Sequence, residues 1–217
     1  IDHEDAYKSI NEAFVHAGVA NDCKVKLEWI DSETFENGTL PAKKLAEYDR
    51  VVVGPGFGSR GIEGKIRAVN YARTSNKPYF GICLGMQIAV IEMARNCLGL
   101  QKANSTEFDL ETPDPVISLL SVQRGVRDLG GTMRLGAYKC ELKQGTKAFT
   151  AYGEDVIEER HRHRYEFNNS YREALEDKAG LVVSGTHPKS DHELVETIEL
   201  KDHPWFCGAQ FHPEFTR

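Results

Sequence analysis

Residues 78–97 read Pro-Tyr-Phe-Gly-Ile-Cys-Leu-Gly-Met-Gln-Ile-Ala-Val-Ile-Glu-Met-Ala-Arg-Asn-Cys, and this stretch decides the fold. Residues 78–82 are short, apolar and aromatic, which predicts a buried strand. Residues 84–97 keep apolar side chains at helical spacing. Between them Gly81-Ile82-Cys83-Leu84-Gly85 has the form G-x-C-x-G. A strand-to-helix turn this tight leaves no room for side chains two residues before and two after its central residue. Cys83 is then thrust out at the carboxyl edge of a sheet, where open α/β sheets bind ligands. It also opens a helix, whose dipole favours thiolate over thiol. The N–H of Leu84, one of the helix's unpartnered first amides, is available to an oxyanion. The competing reading is a buried cysteine between two packing glycines, and the strand–turn–helix placement weighs against it.

Working outward, residues 51–53 form an apolar strand that runs into Gly54-Pro55-Gly56-Phe57-Gly58. Ile62, Ile66, Val69 and Ala72 mark a helix, and residues 41–48 a shorter one. Val25, Leu27 and Trp29 alternate with Lys24, Lys26 and Glu28, which predicts a strand. Ala6, Ile10, Ala13, Phe14 and Ala17 predict a helix stopped by Gly18. Downstream, residues 133–142 and 155–167 read as antiparallel strands, with further strands at 181–184, 195–200 and 206–211. The chain is therefore expected to be a single α/β domain: an open, mostly parallel sheet flanked by helices, with an antiparallel extension. Such folds usually open with a strand. This chain opens with a helix and begins Ile1-Asp2-His3 without Met, so a strand is expected before Ile1.

Composition narrows the function. With 40% hydrophobic and 28% charged residues the chain is neither disordered nor fibrous. The formal net charge of −6 argues against a general nucleic-acid binder. No apolar run is long enough to span a membrane, and no secretory signal is expected. The five cysteines are an odd number without a C-x-x-C pair, so neither a disulfide framework nor a zinc site is expected, and a reducing, cytoplasmic setting fits.

A thiol nucleophile needs a base, and the base needs an orienting group. Of eight histidines, His212 in Gln210-Phe211-His212-Pro213-Glu214-Phe215 follows directly on an apolar strand. Pro213 restricts it to extended geometry, and Glu214 can hold its tautomer. In Arg160-His161-Arg162-His163-Arg164 strand alternation puts the arginines on one side and the histidines on the other. The histidine pair lacks a third ligand at metal-site spacing, so no metal is expected.

Gly-Ile-Cys-Leu-Gly-Met-Gln with a distant Phe-His-Pro-Glu-Phe resembles the class I glutamine amidotransferases. Residues 104–109, 128–137 and 159–166 are similar to the glutaminase domains of the CTP synthase family, so the resemblance spans nearly the whole chain. It implies flavodoxin-like layering and a triad of Cys83, His212 and Glu214. It implies glutamine contacts at Gly56, Phe57, Leu84, Gly85, Met86, Gln87, Glu107 and Arg164, with Glu107 and Arg164 holding the α-amino and α-carboxylate groups. Leu84 and Gly56 would form the oxyanion hole. A weaker match places GTP contacts at Arg60, Gly61 and Glu63. The resemblance further implies that residues 1–217 are one glutaminase domain, the C-terminal piece of a larger, tetrameric synthetase. A covalently linked synthetase domain would receive the ammonia and use ATP and magnesium to aminate UTP to CTP, with GTP as effector. No cofactor would bind this domain itself. The family usually reads Pro-Gly-Gly-Phe-Gly before its Arg-Gly. Here Pro55 takes the first glycine's place and has no N–H, so either Gly56 supplies the oxyanion donor or the loop shifts. The alternatives are a glutaminase serving another acceptor, a γ-glutamyl hydrolase, and a non-catalytic regulatory domain.

Overall fold

The computed structural model describes residues 7–119, 133–188 and 193–216. Residues 128–132 of the family-like segment at 128–137 lie outside these, as does Ala6. Seven strands make the main sheet, in the order β1 (Val51–Val53), β2 (Tyr79–Ile82), β10 (Phe206–Ala209), β9 (Leu194–Leu200), β8 (Leu181–His187), β5 (Arg134–Leu142), β6 (Val156–His163). The first three run parallel, and the joins from β10 onward are antiparallel. The α/β layering and the antiparallel extension are present, but the sheet is mixed rather than mostly parallel, with two parallel and four antiparallel joins. A second sheet joins β3 (Asn104–Ser105), β4 (Pro115–Ser118) and β7 (Glu166–Phe167).

Helix α4 (Leu84–Asn96) is buried from Leu84 to Ala94. A helix apolar all round must be covered all round, and α4 is packed by β1, β2 and β10, by α3 (Ile62–Thr74), by β4 and by α6 (Arg172–Ala179). Its one charged core residue, Glu92, is held by a two-pronged Arg73 contact, both N–O distances 2.8 Å, and by Asn70. The remaining helices are α1 (Lys8–Ala20), α2 (Glu33–Glu36) and α5 (Lys147–Tyr152), with a 3₁₀ turn at Ala42–Glu47.

Three local expectations change. Gly18 does not stop α1, which runs on to Ala20. Gly18 is there for close approach: a Cβ would lie 2.6 Å from the Cys23 carbonyl oxygen as the chain doubles back. Residues 25–29 form no strand. Alternation is present, but no strand among the described residues pairs with this segment, and Val25, Leu27 and Trp29 stay partly exposed. The strand expected at 155–167 breaks at Arg164 and Tyr165, where the chain leaves the large sheet and enters the small one.

Candidate active site

The elbow is strained as its sequence demands. Cys83 has φ +51° and ψ −100°, a region that non-glycine residues rarely occupy. A Cβ on Gly81 would sit 2.6 Å from the Gly85 carbonyl carbon, and one on Gly85 would sit 2.1 Å from the Val53 carbonyl oxygen. Both glycines are therefore obligatory, the first for the turn and the second for seating α4 on β1. The Cys83 N–H donates to the Ala209 carbonyl at 2.7 Å. Parallel register sets Ala209 beside Ile82, so Cys83 and His212 emerge at the same edge of the sheet.

His212 has an extended backbone, φ −112° and ψ 83°, and its N–H donates to the Arg160 carbonyl at 2.8 Å. Its Nδ1 lies 2.8 Å from Glu214 Oε1, and both side chains are buried. A carboxylate there holds the proton on Nδ1 and leaves Nε2 as the basic nitrogen. Nε2 is buried and has no hydrogen-bond partner among the described residues, so no Cys83–His212 hydrogen bond is formed in this state.

Cys83 opens onto a small cavity lined also by Gly56, Phe57, Leu84, Gln87, Glu107, His163, Arg164 and Tyr165. Seven residues singled out from the sequence thus meet in one place. Glu107 Oε1 accepts the Gly58 N–H at 3.0 Å, which ties the small sheet to the glycine turn after β1. Arg164 sits on the bend between β6 and β7, and alternation in β6 buries His161 and His163 while Arg160 and Arg162 face out. Gly85 and Met86 do not line the cavity: Gly85 is pressed on β1, and Met86 is core, against Gly208. Arg60, Gly61 and Glu63 lie apart from it, at the start of α3. Arg60 pairs with Glu33 and Asp31, and Glu63 with Arg95, so a guanine nucleotide there would have to displace carboxylates from Arg60.

One electrostatic expectation is outweighed by burial. Burial pushes the Cys83 thiol up to about 12, and the Leu84 N–H, though it opposes this, does not outweigh it; Glu214, Glu107 and Glu166 push the same way as burial. Cys83 therefore rests as a neutral thiol, and the helix terminus alone does not ionise it.

The sequence reading passed over three neighbours of this site. His163 and Tyr165 line the cavity, and Gln210, fully buried, places Nε2 3.7 Å from the Cys83 sulfur. Behind His163 lies a buried charge cluster: Arg134 bonds Glu166 at 3.1 Å and Glu196 at 2.8 Å. Burial, reinforced by Arg134, lowers His163 to about 3 and His161 to about 2, so both are neutral.

The sequence profile of the family "Glutamine amidotransferase class-I" matches residues 3–217. The chain is 57% identical to a CTP synthase of Cytophaga hutchinsonii over 97% of its own length and 38% of that protein's. It is 58% identical to a CTP synthase of Carboxydothermus hydrogenoformans over 97% of its length and 39% of that protein's. It therefore spans less than half of the curated relatives it matches. Among solved structures, the Trypanosoma brucei CTPS glutaminase domain with bound acivicin superposes with a TM-score of 0.92 at 38% identity, covering 99% of this chain and 82% of that one. With the family profile matched along almost its entire length, the chain belongs to the class I glutamine amidotransferases.

Proposed function

We propose that this chain hydrolyses L-glutamine to glutamate and ammonia through a thioester on Cys83. The observation that carries the reading is one cavity holding a strained elbow cysteine, an anion and a guanidinium, with a carboxylate-oriented histidine at the same sheet edge. Glu107 holds the α-ammonium and Arg164 the α-carboxylate, so that the side-chain amide reaches the sulfur. As Sγ attacks the amide carbon, its proton passes to His212 Nε2. The carbonyl oxygen becomes an oxyanion facing the Leu84 and Gly56 amides. His212 then returns the proton to the departing nitrogen, the C–N bond breaks and ammonia leaves. Water, deprotonated by His212, attacks the thioester; glutamate departs and the thiol is restored. Glu214 holds Nδ1 throughout.

The relatives named CTP synthase support a wider assignment, in which the ammonia serves a linked synthetase domain that aminates UTP to CTP with ATP and magnesium. Residues 1–217 would be the glutaminase unit of that protein. The test is ammonia release from glutamine by the purified chain. Cys83→Ala should abolish it, and His212→Asn should lower kcat by about 10²–10⁴-fold. Undiminished turnover in Cys83→Ala would overturn the reading.

A further inference from the structure

We propose that Gln210 is a further catalytic residue: its side-chain amide donates a hydrogen bond to the Cys83 sulfur and, through Gln87, is held in that orientation by the Tyr165 carbonyl. The proposal deepens the glutaminase reading and rests on it for its catalytic meaning.

The orientation follows from what each partner can do. The Tyr165 carbonyl is a backbone acceptor and cannot turn round. It lies 3.1 Å from Gln87 Nε2, which fixes the NH₂ end of that amide. The same Nε2 lies 3.1 Å from Gln210 Oε1, so both protons of the Gln87 NH₂ are directed at acceptors. Gln210 must then present its oxygen to Gln87 and its NH₂ to Cys83, at 3.7 Å from Sγ. A flipped Gln210 would set an NH₂ against the Gln87 NH₂ and a carbonyl oxygen against the sulfur. His163 strengthens the anchor. Its Nδ1 lies 3.1 Å from the same carbonyl and must donate to it, which leaves Nε2 to accept from His161 Nδ1 at 3.0 Å. The chain of donors therefore runs in one sense.

Such a chain matters because burial and three carboxylates resist ionisation of the sulfur. Cys83 is almost fully buried, and the carboxylates of Glu107, Glu166 and Glu214 act on it. His163 and Arg164 share its cavity, and His212 carries its basic nitrogen at the same edge. The donors aimed at the sulfur are the Leu84 amide and Gln210. A hydrogen bond strengthens when its acceptor becomes charged, so the Gln210 contact is stronger in the thiolate than in the thiol. That difference assists proton transfer to His212, and it is a transition-state effect rather than a substrate-binding one.

The experiment measures the pH dependence of Cys83 alkylation by iodoacetamide, with the modified peptide mapped by mass spectrometry, in the parent chain, Gln210→Met and Gln87→Met. Circular dichroism checks folding, and glutamine kinetics are recorded in parallel. Gln210→Met should move the alkylation profile to higher pH and lower kcat about tenfold or more with KM little changed. Gln87→Met, which frees the Gln210 amide to turn, should act in the same direction by less. A folded variant of either kind with the parent's alkylation profile would overturn the proposal. If neither folds, the Gln210 side-chain amide resonance in the parent decides, since it must move as Cys83 is titrated. Alkylation needs no glutamine turnover. A shifted profile in a chain that fails to hydrolyse glutamine would therefore sink the glutaminase reading and leave the sulfur contact standing.

Discussion

The two walls of the cavity are built by opposite means. One wall, from the ends of β1, β2 and β10, is shaped by backbone packing: Gly81 and Gly85 let strand, turn and helix approach closer than side chains permit. The other wall, from the bend between β6 and β7, is held by buried charge: Arg134 between Glu166 and Glu196, with neutral His161 and His163 packed against them. The first wall carries Cys83, the proposed nucleophile, for which position is decisive. The second carries Arg164, which on the proposed reading presents charge to a substrate. Rigid geometry can come from apolar packing alone, whereas a charge-presenting wall needs its own polar support beneath it.

That contrast is sharpened most by cutting the support. Arg134→Met leaves two buried carboxylates without their cation and should lower unfolding free energy by about 3–5 kcal/mol, read by chemical denaturation. A loss under about 1 kcal/mol would mean that packing holds both walls. Next come the substrate's charged ends. Arg164→Ala and Glu107→Ala should each raise KM more than they lower kcat, with kcat/KM falling about tenfold to more than a hundredfold, or about 1.5–3 kcal/mol. An unchanged KM in both would remove the second wall from substrate binding.

A separate test comes from pH. His161 and His163 are lowered from the ordinary value of 6.5 to about 2 and about 3. Between those values and 6.5 the unfolded chain binds more protons than the folded one. Their contribution is therefore present above pH 6.5 and is lost on acidification, each at up to about 1.4 kcal/mol per pH unit. Glu196, raised by burial, offsets part of this. Cys83, Cys140 and Cys207, all raised from 9.0 by burial, act at the other end: the unfolded thiols ionise first, and stability falls as pH rises through 9. Stability measured against pH should peak between about 6.5 and 9, and a flat profile into pH 4 would show that the two histidines are not held neutral. Least of all should follow from Arg60→Ala. Its partners Glu33 and Asp31 are exposed, so the loss should stay under about 1 kcal/mol. A larger loss in the same denaturation assay would erase the difference between surface and buried pairs.

The first wall was legible in the sequence and the second largely was not, for a physical reason. A strained turn dictates residue types at fixed spacing, so Gly81, Cys83 and Gly85 announce themselves. The parallel strands are short apolar runs for the same direct reason. Polar residues in strands announce nothing: Glu196 lies in β9, where every residue is buried, yet in the sequence it looks like any solvent-facing carboxylate. Gln210 is similar, since its role depends on Gln87 and Tyr165, distant in the chain. Residues 25–29 fail in the opposite way, because alternation describes a side-chain pattern and says nothing about whether a neighbouring strand exists to bond with. The family resemblance named Glu107 and Arg164, which line the cavity, together with Gly85 and Met86, which do not.

The burial that keeps Cys83 protonated also gives it chemical shelter. Oxidants such as peroxide attack thiolates, and they attack those they can reach. A neutral, enclosed sulfur is a slow target, while Cys23 on the surface is an open one. Exposure to air should therefore oxidise Cys23 long before it touches Cys83, the sulfur of the proposed thioester.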